Sequence, residues 1–281
     1  MFRTGVFITF FAILVGFLVG GGRLGILFQF TEWMIILGCA SGNFIVANPK
    51  FLLKSAFLSI KKTKKQVPYT KADYLQLLNF MFNFFKHSNA SSLAELESHI
   101  ENPKQSELFQ RNPVLLMHED ALTFFCDYFR IITLGFDESH EIDNMMEHAL
   151  NEKRISLRLN SEAFIRLGDA MPAIGIIAAV LGVITAMGAV DSSPAVLGAK
   201  VASAMTGTFA GVMLSYCVVT PLGQFLEKYE DREIKFLECI KIAIISYMNG
   251  YPPSISVEFA RQGVPIESQP TFYELEGVLH S

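Results

Sequence analysis

A chain of 281 residues with 51% apolar and 18% charged side chains, and a mean hydropathy of +0.35, is too apolar for an ordinary soluble domain. It is too charged to lie wholly in lipid, so a protein divided between membrane and water fits best. The formal charge of −4 is unremarkable; where the charges lie is informative.

Four uncharged apolar runs stand out: Thr4–Gly22, Trp33–Pro49, Ala170–Val190 and Val201–Leu226. Each approaches or exceeds the ~17–25 residues of a spanning helix. The first follows Arg3 but carries no small-residue cleavage motif ahead of an ordinary soluble domain, so it reads as a retained helix rather than a signal peptide. The second is the weakest, with Ser41 and Asn43 inside it. After it come Lys50, Lys54, Lys61, Lys62, Lys64, Lys65 and Lys71, with no acid between Glu32 and Asp73. A basic segment directly beside a span reads as cytoplasmic rather than as a nucleic-acid patch. Both termini then lie inside, and the loops Arg23–Glu32 and Asp191–Lys200 lie outside. The expected organisation is all-α: a first transmembrane hairpin (1–49), a helical cytoplasmic insert (50–168), a second hairpin (169–226) and a cytoplasmic C-terminal segment (227–281).

The insert reads as helix after helix. In "ADYLQLLNFMFNFFK", Tyr74, Leu77, Leu78, Met81, Phe84 and Phe85 form an apolar stripe at helical spacing. "SSLAELESHIENP" opens with Ser92 and Glu95 as a capping box and stops before Pro103. "EDALTFFCDYFRIITLG" is amphipathic and ends at Gly135. Asp137 or Ser139 opens a helix expected to run through Ile142, Met145, Ala149 and Ile155 toward the third span. Catalytic patterns are missing. The histidines (87, 99, 118, 140, 148 and 280) are scattered, and neither "HED" at 118–120 nor "DESHEID" at 137–143 forms the i, i+4 pair of a zinc protease. Both read as solvated helix starts. No phosphate cradle or cofactor motif appears, so neither an enzyme nor a bound cofactor is expected. The four cysteines lack metal-site spacing. Cys39 and Cys217 fall in spans, and Cys126 and Cys239 in the reducing compartment, which argues against disulfides.

The last two spans are rich in small residues. Ala199, Ser203, Gly207, Gly211 and Ser215 recur every fourth position, and Gly175, Ala178, Gly182 and Ala186 line the third span. Such faces let helix backbones approach closely, either within one subunit or between subunits around a shared pore. Pro172 and Pro221 each remove a backbone bond, freeing the carbonyls of Gly168 and Cys217, which in lipid must find other partners. Both prolines fall near the cytoplasmic side, as a coupling joint would require. The polar side chains of these spans are hydroxyls: Thr185, Ser203, Thr206, Thr208, Ser215 and Thr220. With Asp, Glu, Lys, Arg and His absent from every run, a titrating group must come from a partner.

"AMTGTFAGVMLSYCVVTP", Ala204–Pro221, resembles the fourth-span signature of the MotA family of flagellar stator proteins. "GDAMPAIGIIAAVLGV", "YTKADYLQLL", "HIENP", "NGYPPSISVEF" and "QPTFYELE" are similar to the same family, in order and over nearly the whole chain. The resemblance implies a homo-oligomeric ring, a pentamer, in the bacterial inner membrane around a dimer of a MotB-like subunit. That partner supplies the ion-binding aspartate, and ion flow drives the ring against a rotor switch protein. On this resemblance Pro172 and Pro221 match the coupling prolines, Thr208 the threonine facing the ion site, and Asp169 belongs with them at the head of the third span. In sodium-type relatives the position seven residues after Pro172 is threonine; here it is Ala179, which implies a proton-driven motor. Glu97 matches the acid of the rotor contact. The basic position falls on Asn89, leaving Lys86 and His87 as the nearest cations, or a different rotor partner such as that of a lateral flagellum. The related ExbB/TolQ group is similar in the last two spans but lacks the first hairpin. A secondary transporter would show duplicated halves and an ionisable midplane site, and neither is seen.

Overall fold

The computed structural model describes residues 2–62 and 69–279; Lys64, Lys65 and His280 lie outside the described residues. Among these the regular structure is helical. In chain order the α-helices are α1 (Phe2–Val19), α2 (Leu24–Leu27), α3 (Phe30–Ala47), α4 (Lys50–Lys62), α5 (Lys71–Ala90), α6 (Leu93–Glu101), α7 (Glu107–Arg111) and α8 (Val114–Met117). They continue with α9 (Glu119–Thr133), α10 (Ser139–Met187), α11 (Pro194–Leu214), α12 (Thr220–Met248), α13 (Pro253–Gln262) and α14 (Phe272–Leu279). Among the described residues four helical stretches are long and apolar enough to cross a membrane: Phe2–Val19, Leu24–Ala47, Ser139–Met187 and Pro194–Met248.

The chain forms two compact units, Met1–Lys64 with Leu157–Lys228 and Lys65–Ser156 with Tyr229–Ser281. Residues 50–62 and 157–168, grouped with the insert on sequence grounds, belong to the first of them.

In the first unit, α3 buries Glu32, Ile36, Ala40 and Phe44, one face at a spacing of four. Ile36 and Ala40 pack with Met171, Ile174, Ala178 and Ala210, and Phe44 with Leu52, Ala56, Phe164 and Leu226. By contrast, α1 buries nothing, and Ile176, Ile177, Val183 and Ile184 on α10 are exposed. Water would penalise such a surface, but lipid tails do not. On α4, Leu52 and Ala56 are buried while Lys50, Lys54 and Lys61 are exposed, the partition of an interfacial helix.

The second unit closes over an aromatic core. Phe84 meets Phe125 and Phe129 with ring centroids 4.8 and 4.7 Å apart, edge to face, a geometry the ring quadrupoles favour. The stripe read from α5 is buried throughout, joined by Phe80. A complete capping box starts this helix, with Asp73 N donating to Thr70 Oγ1 and Thr70 N to Asp73 Oδ2. The box read at Ser92 is half formed: Ser92 Oγ accepts from Glu95 N, but Glu95 turns to His87 Nε2 at 3.5 Å. At the start of α10 the buried residues are Ile142, Met146 and Leu150, whereas Met145 and Ile155 are 46% and 49% exposed. The helix runs unbroken through Ile142, Met145, Ala149 and Ile155, as expected, and Met145 O accepts from Tyr128 Oη at 3.1 Å.

Neither candidate solvated start is free of the fold. His118 stacks on Tyr69 at 4.8 Å, burial holding its imidazole below the ordinary range. Asp120 and the buried Glu233 both pair with Lys153, at 3.0 and 3.1 Å. Asp143 pairs with Lys241 at 2.9 Å. Burial alone would lower the Lys153 ammonium, yet Glu233 and Asp120 together raise it. Lys153→Met removes the ammonium that Lys153 brings to Glu233 and Asp120. Because Lys153 keeps partial exposure, the expected loss is about 2–3 kcal/mol, at or below the ~3–5 kcal/mol of a fully buried pair. The urea midpoint of the solubilised chain, followed by circular dichroism, reads it.

Candidate functional site

The site starts from a seam in which α10 and α11 touch through glycines. A Cβ on Gly211 would stand 2.6 Å from Gly175 Cα, and one on Gly207 would stand 3.1 Å from Ala179 N. One on Gly182 would meet Ala204 Cβ at 2.7 Å. Gly175, Gly182, Gly207 and Gly211 are thus brought together within one chain. Ala179 presents its backbone to the seam, and so does Thr208, whose carbonyl lies 3.3 Å from a Cβ built on Gly175. Both side chains are half-buried, and Asp169 is exposed.

Further along α10 lies a joint. Pro172 cannot donate to the carbonyl of Gly168, and that carbonyl accepts instead from the buried Ser215 Oγ at 2.7 Å. The second proline is handled differently. Rather than a plain kink, a π-helical turn spans Ser215–Val219, and Thr220 N donates to Ser215 O. The widened turn falls on Cys217, whose carbonyl Pro221 cannot serve; π-bulges commonly mark such sites. A Cβ at Gly168 would stand 2.1 Å from Thr220 Oγ1. The bond lost at Pro172 and the turn before Pro221 therefore meet at one contact, Gly168 with Ser215 and Thr220.

The hydroxyls divide between backbone and cavity. Thr206 Oγ1 is buried and shared between the carbonyls of Ile26 and Ala202, each at 3.1 Å, so it is committed to structure. Ser203, Thr31 and Thr185 line a cavity of about 320 Å³ together with Glu32 and Lys200, although Thr185 Oγ1 also donates to Leu181 O at 2.9 Å.

Glu32 and Lys200, read from the sequence as the ends of the loops Arg23–Glu32 and Asp191–Lys200, lie inside helices instead. α3 begins at Phe30 and α11 at Pro194, so both charges sit within helices of the spanning set. Glu32 is 4% exposed. Its Oε1 lies 3.2 Å from a Cβ built on Gly182, and its Oε2 3.2 Å from one built on Gly207. Oε2 is buried with no hydrogen-bond partner. The carboxyl sits one residue ahead of the uncharged run that begins at Trp33. The clue was Trp33 directly after it, an apolar run with no turn residue between.

In the second unit, Lys86 and Glu97 are exposed on α5 and α6. Asn89 is exposed too, its Oδ1 accepting from Tyr247 Oη at 2.7 Å. The histidines are less scattered than they read. His87 and His99 lie edge to face at 5.4 Å, and with Glu95 their ligand atoms fall within 4.8 Å of one another.

Four membrane-length helices, a glycine seam and a proline joint define a polytopic helical membrane protein built around close backbone contact. Two sequence families match, Motility protein A N-terminal over residues 3–92 and the MotA/TolQ/ExbB proton channel family over residues 126–238. Motility protein A of Escherichia coli K12 is 36% identical over 261 residues, 93% of this chain and 88% of that protein. Chemotaxis protein LafT of Vibrio parahaemolyticus is 30% identical over 97% of this chain and 95% of its own length. The chain belongs to the motility protein A family. The solved structure of C. jejuni MotAB shares its fold with a TM-score of 0.79 at 20% identity, covering 95% of this chain and 96% of that one. The flagellar MotAB stator complex of Bacillus subtilis does so at 0.72 and 19%, covering 91% and 92%.

The joint yields a direct test. Ser215→Ala strands the buried Gly168 carbonyl, at a cost of about 1–3 kcal/mol. A lower melting midpoint in detergent is expected, with slower swimming of cells carrying the variant.

Proposed function

We propose that the chain is the ring-forming subunit of a flagellar stator, which with a MotB-like partner makes a proton channel in the bacterial inner membrane and turns ion flow into torque on the rotor switch protein. Five copies surround two of the partner, and both termini face the cytoplasm. The observation that carries this reading is the relationship to motility protein A over 93% of the chain. It includes the N-terminal family match at residues 3–92, the region that an ExbB/TolQ-type energiser lacks. The exposed lysines of α4 support a cytoplasmic placement of that helix, by the positive-inside rule.

On this reading the Gly168–Ser215–Thr220 contact is the coupling joint, with Pro172, Pro221 and Asp169 around it. Thr208 lies toward the ion path. Ala179 offers a methyl group and no oxygen, so a sodium ion gains nothing there in exchange for its water shell, while a proton needs no such cage. In a strain lacking the native gene, the chain with its partner should restore swimming. Motor speed should then stay flat against external sodium at fixed pH and membrane potential. A steep, saturable sodium dependence overturns the proton assignment, and failure to restore motility with its own partner overturns the stator itself.

The rotor contact is assigned to Glu97 and Lys86, exposed charges that are individually weak. Glu97→Lys should slow swimming while membrane insertion stays intact. Unchanged motility on several rotor backgrounds would place the contact elsewhere.

A further inference from the structure

We propose that Glu32 is a proton-holding station of this chain's own, working with Lys200, Thr185 and Ser203 in the cavity between α3, α10 and α11. The proposal deepens the stator reading and rests on it for the supply of protons. It adds an acid beyond the one the partner brings.

Burial and geometry carry the argument. A carboxylate in a membrane-spanning helix costs several kcal/mol unless it is paired, hydrated or protonated, and such residues mark ion and proton paths. Glu32 sits in the first turn of α3, where a side chain can turn back to the free N–H groups of its own helix. It does not do so with Oε2, which lies over Gly207 without a partner. The carboxyl occupies a space that exists because positions 182 and 207 lack a Cβ: each missing atom would stand 3.2 Å from one of its oxygens. The two glycines therefore do more than let α10 and α11 approach; they cradle an acid.

The surroundings suit a group that gains and loses a proton. The cavity of about 320 Å³ is lined by hydroxyls and an ammonium as well as apolar groups, polar and roomy enough to hold water. α10 contributes Leu181, Gly182 and Thr185, none of which titrates; α11 contributes Ser203 and the ammonium of Lys200. Lys200 Nζ points to the carbonyl of Thr185 at 3.5 Å, a long contact that leaves the flexible side chain able to turn to a charged carboxylate. The step is a plain proton transfer. An O–H bond forms on Glu32 as one breaks in hydronium, releasing water, and Lys200 compensates the charge when the proton leaves. Gly182 and Gly168 are fourteen residues apart on α10, roughly 21 Å along the axis, so this station and the proline joint are separate places on one helix.

Glu32→Gln tests it, because it keeps the shape and removes the proton exchange. In vesicles holding the chain with its partner, proton flux should fall about tenfold, short of the ~10²–10⁴ for losing a general acid or base in a chemical step, since water still fills the cavity. Glu32→Asp should restore part of it, and Gly207→Ala, which pushes into Oε2, should reduce flux while the carboxyl remains. A second readout needs no partner and no flux. Infrared difference spectra of the chain alone, taken across pH, should show a protonated-carboxyl band that Glu32→Gln removes. Wild-type flux in Glu32→Gln, or the same band in both proteins, overturns the proposal. A loss of sodium flux with proton flux unchanged overturns it in favour of a sodium site. A wild-type complex that passes no ion overturns the stator reading instead, and the infrared band still decides on Glu32.

Discussion

The first unit depends on one constraint, the contact of two helix backbones with no side chain between them. Where Gly211 faces Gly175, an added methyl carbon would stand 2.6 Å from a Cα, closer than real Cβ atoms come. Lipid gives no hydrophobic reward for bringing helices together, so packing contact and hydrogen bonds must supply the attraction. Small residues make that contact broad. Because α10 and α11 are this close, Ser215 can reach the Gly168 carbonyl at 2.7 Å and Glu32 can lodge between Gly182 and Gly207. Wider helices would lose both.

The prolines show how a membrane helix absorbs a missing bond. In water a freed carbonyl is simply hydrated; in lipid it needs a specific partner. The Gly168 carbonyl that Pro172 frees has one in Ser215, 47 positions along the chain. Pro221 is met by a change of helical period, with the π turn at Ser215–Val219. Ser215 takes part in both solutions, its side chain serving one helix and its carbonyl accepting the wide bond of the other. A hydroxyl that reads as a possible ion ligand is thus bound to the backbone, and Thr206 is spent the same way. Thr185 also donates to a carbonyl of its own helix, that of Leu181 at 2.9 Å, while its side chain shares the cavity with Ser203 and Thr31.

Much of this was legible in the residues, for identifiable reasons. Runs of apolar residues mark spanning helices because the bilayer imposes a length. The stripe of α5 was plain because its period is sharp over twelve residues, and the fold buries it in full. The failures occurred where a local rule met a tertiary demand. Ser92 and Glu95 have capping-box spacing, but His87 from the preceding helix takes the carboxylate. The π turn has no sequence signature beyond the proline that follows it.

Glu32 shows the same conflict at a residue that bears on function, a carboxyl 4% exposed inside α3. Treating a charge as the end of an apolar run assumes that charges stay in water. That holds when nothing in the opposing helices makes room for them. Here the room is encoded far away, in glycines at 182 and 207, and it exists only after α3 is laid against the seam. The same two glycines were visible beforehand as parts of small-residue ladders, read as a means of packing one helix on another. Their absent side chains admit a third helix's acid as well, and Lys200 stands on the cavity that acid lines. A chain that seemed to offer its partner an uncharged wall therefore carries an acid and a base of its own, within helices of membrane-spanning length.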